Sequence, residues 1–347
     1  MNGKFSFRAL NFYSGNRKSK IEKWLGLSVI AFVLVVAVAA AEAQQPKKVP
    51  RIGYLSPTSP SVSPTRIEAF RQGLRELGYV QGKNIIIGYR YAERKFDRLT
   101  ALAAELVRLK VDLIVTTGPT VTRAAKEATT TVPIVMATDT DPVGNGFVAS
   151  LAQPDGNITG LSNLATEIGG KRLELLKEIV PRFSRLAVFG TSTNPGNAQS
   201  LKETEIAAGA LKVQLQFLDV LGPKDIETAF REAGKTRADA VLLLTSPVFI
   251  SQRRQIAELA VKSRLPVIYY AAEFVEDGGL MTYSVNLNDL ARRAATYVDK
   301  ILKGRKPADL PMEQPTKFEF LINLKAAKQI GLTIPPNVLA RADRVIR

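Results

Sequence analysis

Two predicted strand-to-helix junctions carry the side chains best suited to binding chemistry. In the first half of the chain, residues 115 to 120 read VTTGPT, which sets two hydroxyls before a glycine and a helix-starting proline. Glycine lets a ligand approach the backbone, and the free N–H groups of a helix amino terminus attract anions. We therefore expect a carboxylate or phosphate to bind here, with ordinary helix capping as the alternative.

The second junction, residues 137 to 146 (ATDTDPVGNG), places two acids at a strand end. Asp139 and Asp141 could receive a ligand amine. A catalytic pair of carboxylates would need two different environments, which the sequence does not reveal. Asp141 precedes a proline, so that a simple turn-forming role is the alternative.

Matching junctions in the second half are TSTNPGN (191 to 197), TSPVF (245 to 249) and YYAAEFVEDGG (269 to 279). Tyr270 and Glu273 are their main candidates for ligand contact. The alternatives are a half-buried core aromatic for Tyr270 and a helix-start acid for Glu273.

Composition argues against an enzyme. The 347 residues include no histidine and no cysteine. Serine–histidine–aspartate, cysteine–histidine and histidine-based zinc chemistry are therefore excluded, as are disulfides and a lipid anchor on cysteine. We expect no cofactor and no metal.

The chain is basic, with a net charge of +16. Lysines and arginines are dispersed along predicted helices, as at Arg66, Arg71 and Arg75, rather than gathered into a stripe with interleaved aromatics. This dispersion indicates a solvated basic surface and no nucleic-acid partner.

Residues 24 to 43 (WLGLSVIAFVLVVAVAAAEA) form an apolar run after a basic stretch and end in Ala-Glu-Ala. This pattern predicts a signal peptide at 1 to 43, cleaved near Ala43. The alternative is an uncleaved membrane anchor, since the run is just long enough to span a bilayer. Either way we expect the globular part to lie outside the cytoplasm, in the periplasm.

The remaining chain is long enough for two domains, and its strands and helices alternate in two blocks, as in parallel α/β sheets. Predicted strands of the first block are 51 to 55, 84 to 90, 112 to 117, 133 to 138 and 157 to 162. Those of the second are 185 to 190, 213 to 220, 239 to 245, 266 to 270 and 279 to 284. Helices are predicted at about 167 to 180, 195 to 210, 223 to 235, 249 to 263 and 287 to 303.

The chain resembles the extracytoplasmic substrate-binding proteins of ABC transporters, in the tryptophan/tyrosine-type family. Segments that carry the resemblance include RIGYLSPTSP, FRQGLRELGYVQGKNIIIGYRYAERKFDRL, LAAELVRLKVDLIVTTGP, DPVGNGFVASLAQPDGNITGLS, KRLELLKEIVP and EFVEDGGLMTYSVNLNDLARRAATYVDKILKG. Two departures lie at GTSTN (190 to 194) and at Ser284-Val285-Asn286, where relatives often have Asn-Pro-Ala-Asn and Gly-Pro-Asn.

The resemblance implies an α/β fold of the type I periplasmic-binding-protein class, with two parallel-sheet, Rossmann-like lobes joined by a three-crossover hinge. The crossovers would lie near Asn163, near 284 to 286 and within about 310 to 318. Lobe I would then comprise 44 to 162 plus about 285 to 312, and lobe II 163 to 284 plus about 313 to 347.

The resemblance also implies ligand contacts at the strand ends that face the cleft. These are Ser56, Thr58, Ser59, Thr117, Gly118, Pro119, Thr120, Asp139, Asp141, Asn194, Ser246, Tyr270 and Glu273. An aromatic side chain such as Tyr54 or Tyr270 would cover the apolar part of the ligand.

The function implied is capture of a small ligand, an amino acid or other small carboxylate, by hinge closure. The partner would be an ABC permease in the inner membrane, and the protein would act as a monomer. One alternative is a periplasmic sensor that feeds a receptor. The other is a two-lobed hydrolase or isomerase that uses Asp139, Asp141 or Glu273.

Overall fold

A computed structural model describes residues 48 to 165, 168 to 315 and 317 to 347. The predicted signal peptide lies outside these residues. Within them, no helix combines the length and the apolar character that crossing a membrane requires. Residues 49 to 347 form one compact unit.

The first sheet contains five parallel strands in the order β2-β1-β3-β4-β5. Their bounds are β1 Arg51–Ser56, β2 Ile86–Tyr91, β3 Leu113–Thr117, β4 Ile134–Asp139 and β5 Ile158–Ser162. Successive residues of β1 face opposite sides, so that Ile52 and Tyr54 join one core while Leu55 joins another. Apolar side chains on both faces are expected for a parallel sheet covered by helices on each side.

Four helices cover this sheet. They are α1 Pro64–Glu76, α2 Leu99–Arg108, α3 Pro119–Ala128 and, much later in the chain, α10 Leu287–Leu302. Helix α10 packs closely along α1, where a Cβ atom on Gly73 would stand 2.2 Å from the Arg292 carbonyl oxygen. Only glycine permits that approach. We call this sheet and these four helices the first lobe.

The second sheet contains seven strands in the order β12-β11-β10-β9-β8-β6-β7. Their bounds are β6 Arg185–Gly190, β7 Gln214–Asp219, β8 Ala240–Leu243, β9 Val267–Tyr269, β10 Met281–Val285, β11 Phe318–Asn323 and β12 Arg344–Ile346. Strand β11 runs antiparallel to β10, whereas the other neighbours are parallel. The sheet is therefore mixed at this one pair, because the chain returns from the first lobe in the opposite direction.

The helices of the second sheet are α4 Gly169–Ile179, α5 Asn197–Ala210, α6 Asp225–Lys235, α7 Pro247–Ser251, α8 Arg253–Lys262, α9 Ala272–Glu276, α11 Leu324–Gln329 and α12 Pro336–Leu339. The single helix predicted at about 249 to 263 is wrong, since it is broken at Gln252 into α7 and α8. Together with the sheet, these helices form the second lobe.

The chain passes between the lobes three times. It leaves the first sheet after β5, returns after β10 to form α10, and pairs Glu313 with Leu161 before it enters β11. The carboxyl ends of β1, β3 and β4 in one lobe and of β6, β8 and β9 in the other therefore face a common cleft, where parallel α/β sheets bind ligands.

Candidate ligand-binding site

A cavity of about 100 Å³ lies between the two lobes and receives side chains from both. An apolar cavity of about 150 Å³ is known to take benzene, so this space has the order of size of a small molecule. The described lining mixes hydroxyls and amides with apolar groups such as Ile67, Ile250 and Leu287. Such a lining, largely apolar with a few polar groups, is typical of small-molecule sites.

The first-lobe wall is built where β1 and β3 end. Ser56 is buried at the end of β1, and its hydroxyl donates to the carbonyl oxygen of Thr58 at 3.3 Å. Gly118 adopts a φ of 101°, which glycine tolerates, and turns the chain from β3 into α3. Gly118 offers no side-chain cap, Pro119 has no N–H, and the Val121 N–H donates to the Gly118 carbonyl oxygen at 3.2 Å. In the first turn of α3 this leaves the Thr120 N–H without an acceptor among the described residues.

The second-lobe wall is a network of hydrogen bonds among buried polar groups. The Asn194 amide donates to the Thr245 carbonyl oxygen at 2.7 Å, and the Tyr270 hydroxyl donates to the Ser246 carbonyl oxygen at 2.7 Å. The hydroxyls of Thr191 and Ser246 lie 2.8 Å apart. The wall is rigid because its members satisfy one another.

Most of the residues predicted to contact ligand do line this cavity. They are Ser56, Thr58, Ser59, Thr117, Gly118, Pro119, Thr120, Asn194, Ser246 and Tyr270. The three predicted acids are absent from the described lining, and each has a different reason for lying elsewhere.

Asp139 is fully buried beneath the first-lobe wall. Its Oδ2 atom accepts a hydrogen bond from the Thr122 hydroxyl at 2.8 Å, while Oδ1 has no partner within the described part of the chain. Burial raises the pKa of Asp139 to about 8, an effect that the bonds from Thr122 and from the Thr140 backbone offset only in part. The structure therefore makes Asp139 a poor receptor for a ligand amine.

Asp141 closes a turn. It has a φ of 50°, and its Oδ1 atom accepts a hydrogen bond from the Gly144 backbone N–H at 2.8 Å. This is the turn-forming role that the sequence offered as the alternative.

Glu273, near the start of α9, contacts the other lobe instead of the cavity. The Arg66 guanidinium in α1 donates to Glu273 Oε1 at 2.6 Å, and the two side chains are only 18% and 17% exposed. Burial is the largest single influence and would raise the pKa of Glu273, but the Arg66 charge, the hydrogen bonds to the carboxylate and the Arg253 charge together outweigh it and lower the pKa. Arg66 lines the cavity and is not part of a solvated basic surface, which corrects the interpretation drawn from the sequence.

Two further contacts join the lobes beside this ion pair. The Thr120 hydroxyl donates to Asn194 Oδ1 at 2.7 Å. Arg253 donates to the Val62 carbonyl oxygen at 3.0 Å and also pairs with Asp277 at 2.6 Å. Since these bonds cross the cleft mouth, the structure represents a closed arrangement of the lobes.

A second arginine in the cavity lining, Arg172 in α4, was missed by sequence reasoning. It is 2% exposed, and its Nε donates to the Tyr283 carbonyl oxygen at 2.8 Å. No carboxylate of the described residues forms an ion pair with it. Burial lowers the pKa of Arg172 to about 10, so the guanidinium stays charged at neutral pH.

The sequence does carry a signal for both arginines. Arg66 is spaced four and eight residues from Phe70 and Leu74, and both of these are buried. Arg172 precedes the buried residues Leu176 and Ile179 by four and seven residues, which is also a helical spacing. This spacing puts each arginine on the apolar face of its helix, where a charge is unusual enough to deserve notice.

The described residues contain no group of three or more acids that could hold a metal ion. Their cavity offers hydroxyls, amides and two guanidinium groups. Such a set can orient and neutralise a small anion.

Comparisons with known proteins agree with this geometry. A family model described as ABC transporter substrate binding protein matches residues 59–346. The tyrosine-binding protein of Clostridioides difficile (strain R20291) is 24% identical over 266 residues, which are 76% of this chain and 76% of that protein.

Two solved structures are also similar. A conserved domain protein from Vibrio cholerae O1 biovar El Tor has a TM-score of 0.82 and 27% identity, covering 86% of this chain and 100% of that one. The ABC domain in complex with L-Trp from Streptococcus pneumonia has a TM-score of 0.79 and 26% identity, covering 86% and 99%. These likenesses confirm the predicted two-lobed α/β fold of the type I periplasmic-binding-protein class.

Proposed function

The chain belongs to the family of ABC transporter substrate-binding proteins, and from this membership and its cleft we propose that it captures a small carboxylate, such as an amino acid, for an ABC importer. The observation that carries the proposal is a cavity lined from both lobes and closed by bonds that cross between them. Ligand that binds both walls stabilises the closed form over the open one, and the closed form is what a permease can recognise.

Ligand contacts are proposed at the ten predicted residues that line the cavity, with Arg172 added. Tyr54 and Tyr270 supply aromatic surface for the apolar part of the ligand. The family relationship and the predicted signal peptide together support action outside the cytoplasm, as a monomer that delivers its cargo to the permease.

The test is a thermal-unfolding screen of the purified protein against amino acids, small organic acids, nucleosides and sugars. A ligand at a hundredfold excess over its dissociation constant adds about 2.7 kcal/mol to the free energy of unfolding, which raises Tm by several degrees. We expect one chemical class to do so and to be recovered unchanged by mass spectrometry. Conversion of the compound would instead indicate an enzyme.

Importer and sensor are separated in cells. Uptake of the radiolabelled ligand should be lost when the gene for this chain is deleted and should return on complementation. Unchanged uptake together with loss of a transcriptional response would favour a sensor.

A further inference from the structure

The described lining of the cavity carries positive charges but no negative ones. It includes two arginines and no aspartate or glutamate. Arg66 is neutralised by Glu273 at 2.6 Å, whereas Arg172 has no acidic partner among the described residues. A buried cation without a counter-ion is costly, so the cavity is poised to accept one negative charge.

Each of three neutral oxygens on the second-lobe wall already accepts hydrogen bonds from the protein, and two of them have both acceptor positions filled. The Thr245 carbonyl oxygen accepts from both Asn194 and Asn197, at 2.7 and 2.9 Å. The Ser246 carbonyl oxygen accepts from the Tyr270 hydroxyl and from the Ile250 N–H, and Asn194 Oδ1 accepts from the Thr120 hydroxyl. These oxygens would be the natural acceptors for an ammonium group, and each already accepts a donor of the protein itself.

In contrast to these acceptors, some hydrogen-bond donors that line the cavity have no protein acceptor among the described residues. The guanidinium of Arg172 uses its Nε atom for the Tyr283 carbonyl oxygen, which leaves its two terminal nitrogens for a ligand. The first turn of α3 contributes the Thr120 N–H and the positive end of a ten-residue helix. A carboxylate is a suitable acceptor for either of these donors.

On this basis, and resting on the proposed binding function of the same cleft, we infer that the ligand is a small monocarboxylate with an apolar body. Arg172 is the cation that holds its carboxylate, and no α-ammonium is needed. The chain would then prefer deaminated aromatic or branched-chain acids to the amino acids named for its relatives. A zwitterion would bring an ammonium group into a cavity whose described lining has no anion to meet it.

Isothermal titration calorimetry with matched probes tests this directly. The probes are L-phenylalanine against hydrocinnamate, L-leucine against isocaproate, and phenethylamine and hydrocinnamamide as the cationic and neutral analogues. We expect the deaminated acids to bind more tightly than their amino acids by about tenfold or more, and the amine not to bind.

Variants test whether Arg172 is the cation that binds the ligand carboxylate. Arg172→Gln should weaken hydrocinnamate binding by about 10- to 100-fold, as for loss of a hydrogen bond to a charged group. It should leave hydrocinnamamide binding unchanged, a readout that a merely structural role would not produce. Arg172→Lys should recover part of the affinity. Lys171→Gln, which removes the neighbouring exposed charge that pairs with Glu174, is the matched control and should bind as the wild type does.

Several results would overturn the inference while the binding function stands. One is tight binding of an amino acid that is lost in Glu273→Gln, because Glu273 would then be the ammonium receptor. Another is binding of a neutral sugar or nucleoside with no response to any acid. Equal affinity of wild type and Arg172→Gln for hydrocinnamate would also overturn it. If no compound in the wider screen shifts Tm, the proposed function itself fails.

Discussion

The two arginines of the cavity occupy opposite electrostatic settings. Arg66 forms an ion pair with Glu273 across the cleft, so its charge stabilises the contact between the lobes. Arg172 lies at 2% exposure beside the crossovers and meets a backbone carbonyl oxygen of Tyr283. The same residue type thus stabilises closure in one place and is left available to a ligand anion in the other.

The same contrast separates two carboxylates. Glu273 is buried but paired, and its pKa is lowered because the charges of Arg66 and Arg253 and the hydrogen bonds to the carboxylate together outweigh burial. Asp139 forms no ion pair among the described residues, and burial, only partly offset by hydrogen bonds and the Arg123 charge, raises its pKa to about 8. Burial alone therefore does not set the charge of a group in this protein. The partner supplied by the fold does.

The largest effect is expected from pH acting on Asp139. Its pKa is 3.8 when unperturbed and about 8 in the folded protein, so between these values unfolding releases a proton and rising pH favours the unfolded state. The Asp139 contribution to stability should fall by about 1.4 kcal/mol per pH unit across this window and level off above it. Urea unfolding of Asp139→Asn should lack this slope. Asp141→Asn, the control, should keep it, and a slope shared by all three proteins would contradict the assignment.

The second-largest effect is expected when each of the two arginines is replaced by methionine and the free energy of unfolding is measured. Arg66→Met leaves Glu273 buried and unpaired and should lower the free energy of unfolding by about 2–3 kcal/mol. Arg172→Met leaves no carboxylate of the described residues without its partner, so it should lower the free energy of unfolding by less than about 1 kcal/mol. Arg75→Met is the control on the same helix, because its pair with Glu68 is more than half exposed and worth little. Urea denaturation measures all three, and equal losses at Arg66 and Arg172 would break the comparison.

A third variant turns Arg66 into a second free cation. In Glu273→Gln we expect binding of a dicarboxylate such as phenylsuccinate to improve by about fivefold relative to hydrocinnamate, roughly 1 kcal/mol. Calorimetry gives the ratio. Glu276→Gln, on the same helix but paired with Arg344 at the exposed surface, should leave that ratio unchanged. A ratio that moves equally in both variants would contradict a local effect of Arg66.

The smallest effect is expected from the neutral contact between the lobes. Thr120→Val removes the hydroxyl that donates to Asn194, and ligand affinity should fall by about threefold, or roughly 0.6 kcal/mol, at the low end of the range for an uncharged hydrogen bond. Thr131→Val, at an exposed loop, is the control. A loss as large as that of Arg172→Gln would mean that closure, not charge, dominates binding.

Strand positions followed well from the sequence. The ten predicted strands agree with β1 to β10 to within a few residues, because each is a short apolar run bounded by turn residues. The antiparallel course of β11 was not predictable in this way, since strand direction depends on where the returning chain enters the sheet. The break at Gln252 was likewise missed, because the apolar spacing continues through it while Arg253 turns to Asp277 and Val62.

The candidate site shows the same division. Hydroxyls and glycine at the strand ends, such as Thr117 and Gly118, were found because parallel strands must end together at one edge of a sheet. Their exact roles in binding stay predictions. Arg66 was interpreted as a surface charge because dispersed basic residues usually are, and Arg172 was not singled out.

The sequence by itself determined the local elements, the two blocks and the polar strand ends, because these depend on spacing and side-chain type over a few residues. Only the tertiary structure decided which charges meet. Arg66 and Glu273 are separated by 207 positions in the chain, and Arg172 and Tyr283 by 111. Electrostatic energy depends on the distance in space and on burial, and neither quantity is written in the order of residues.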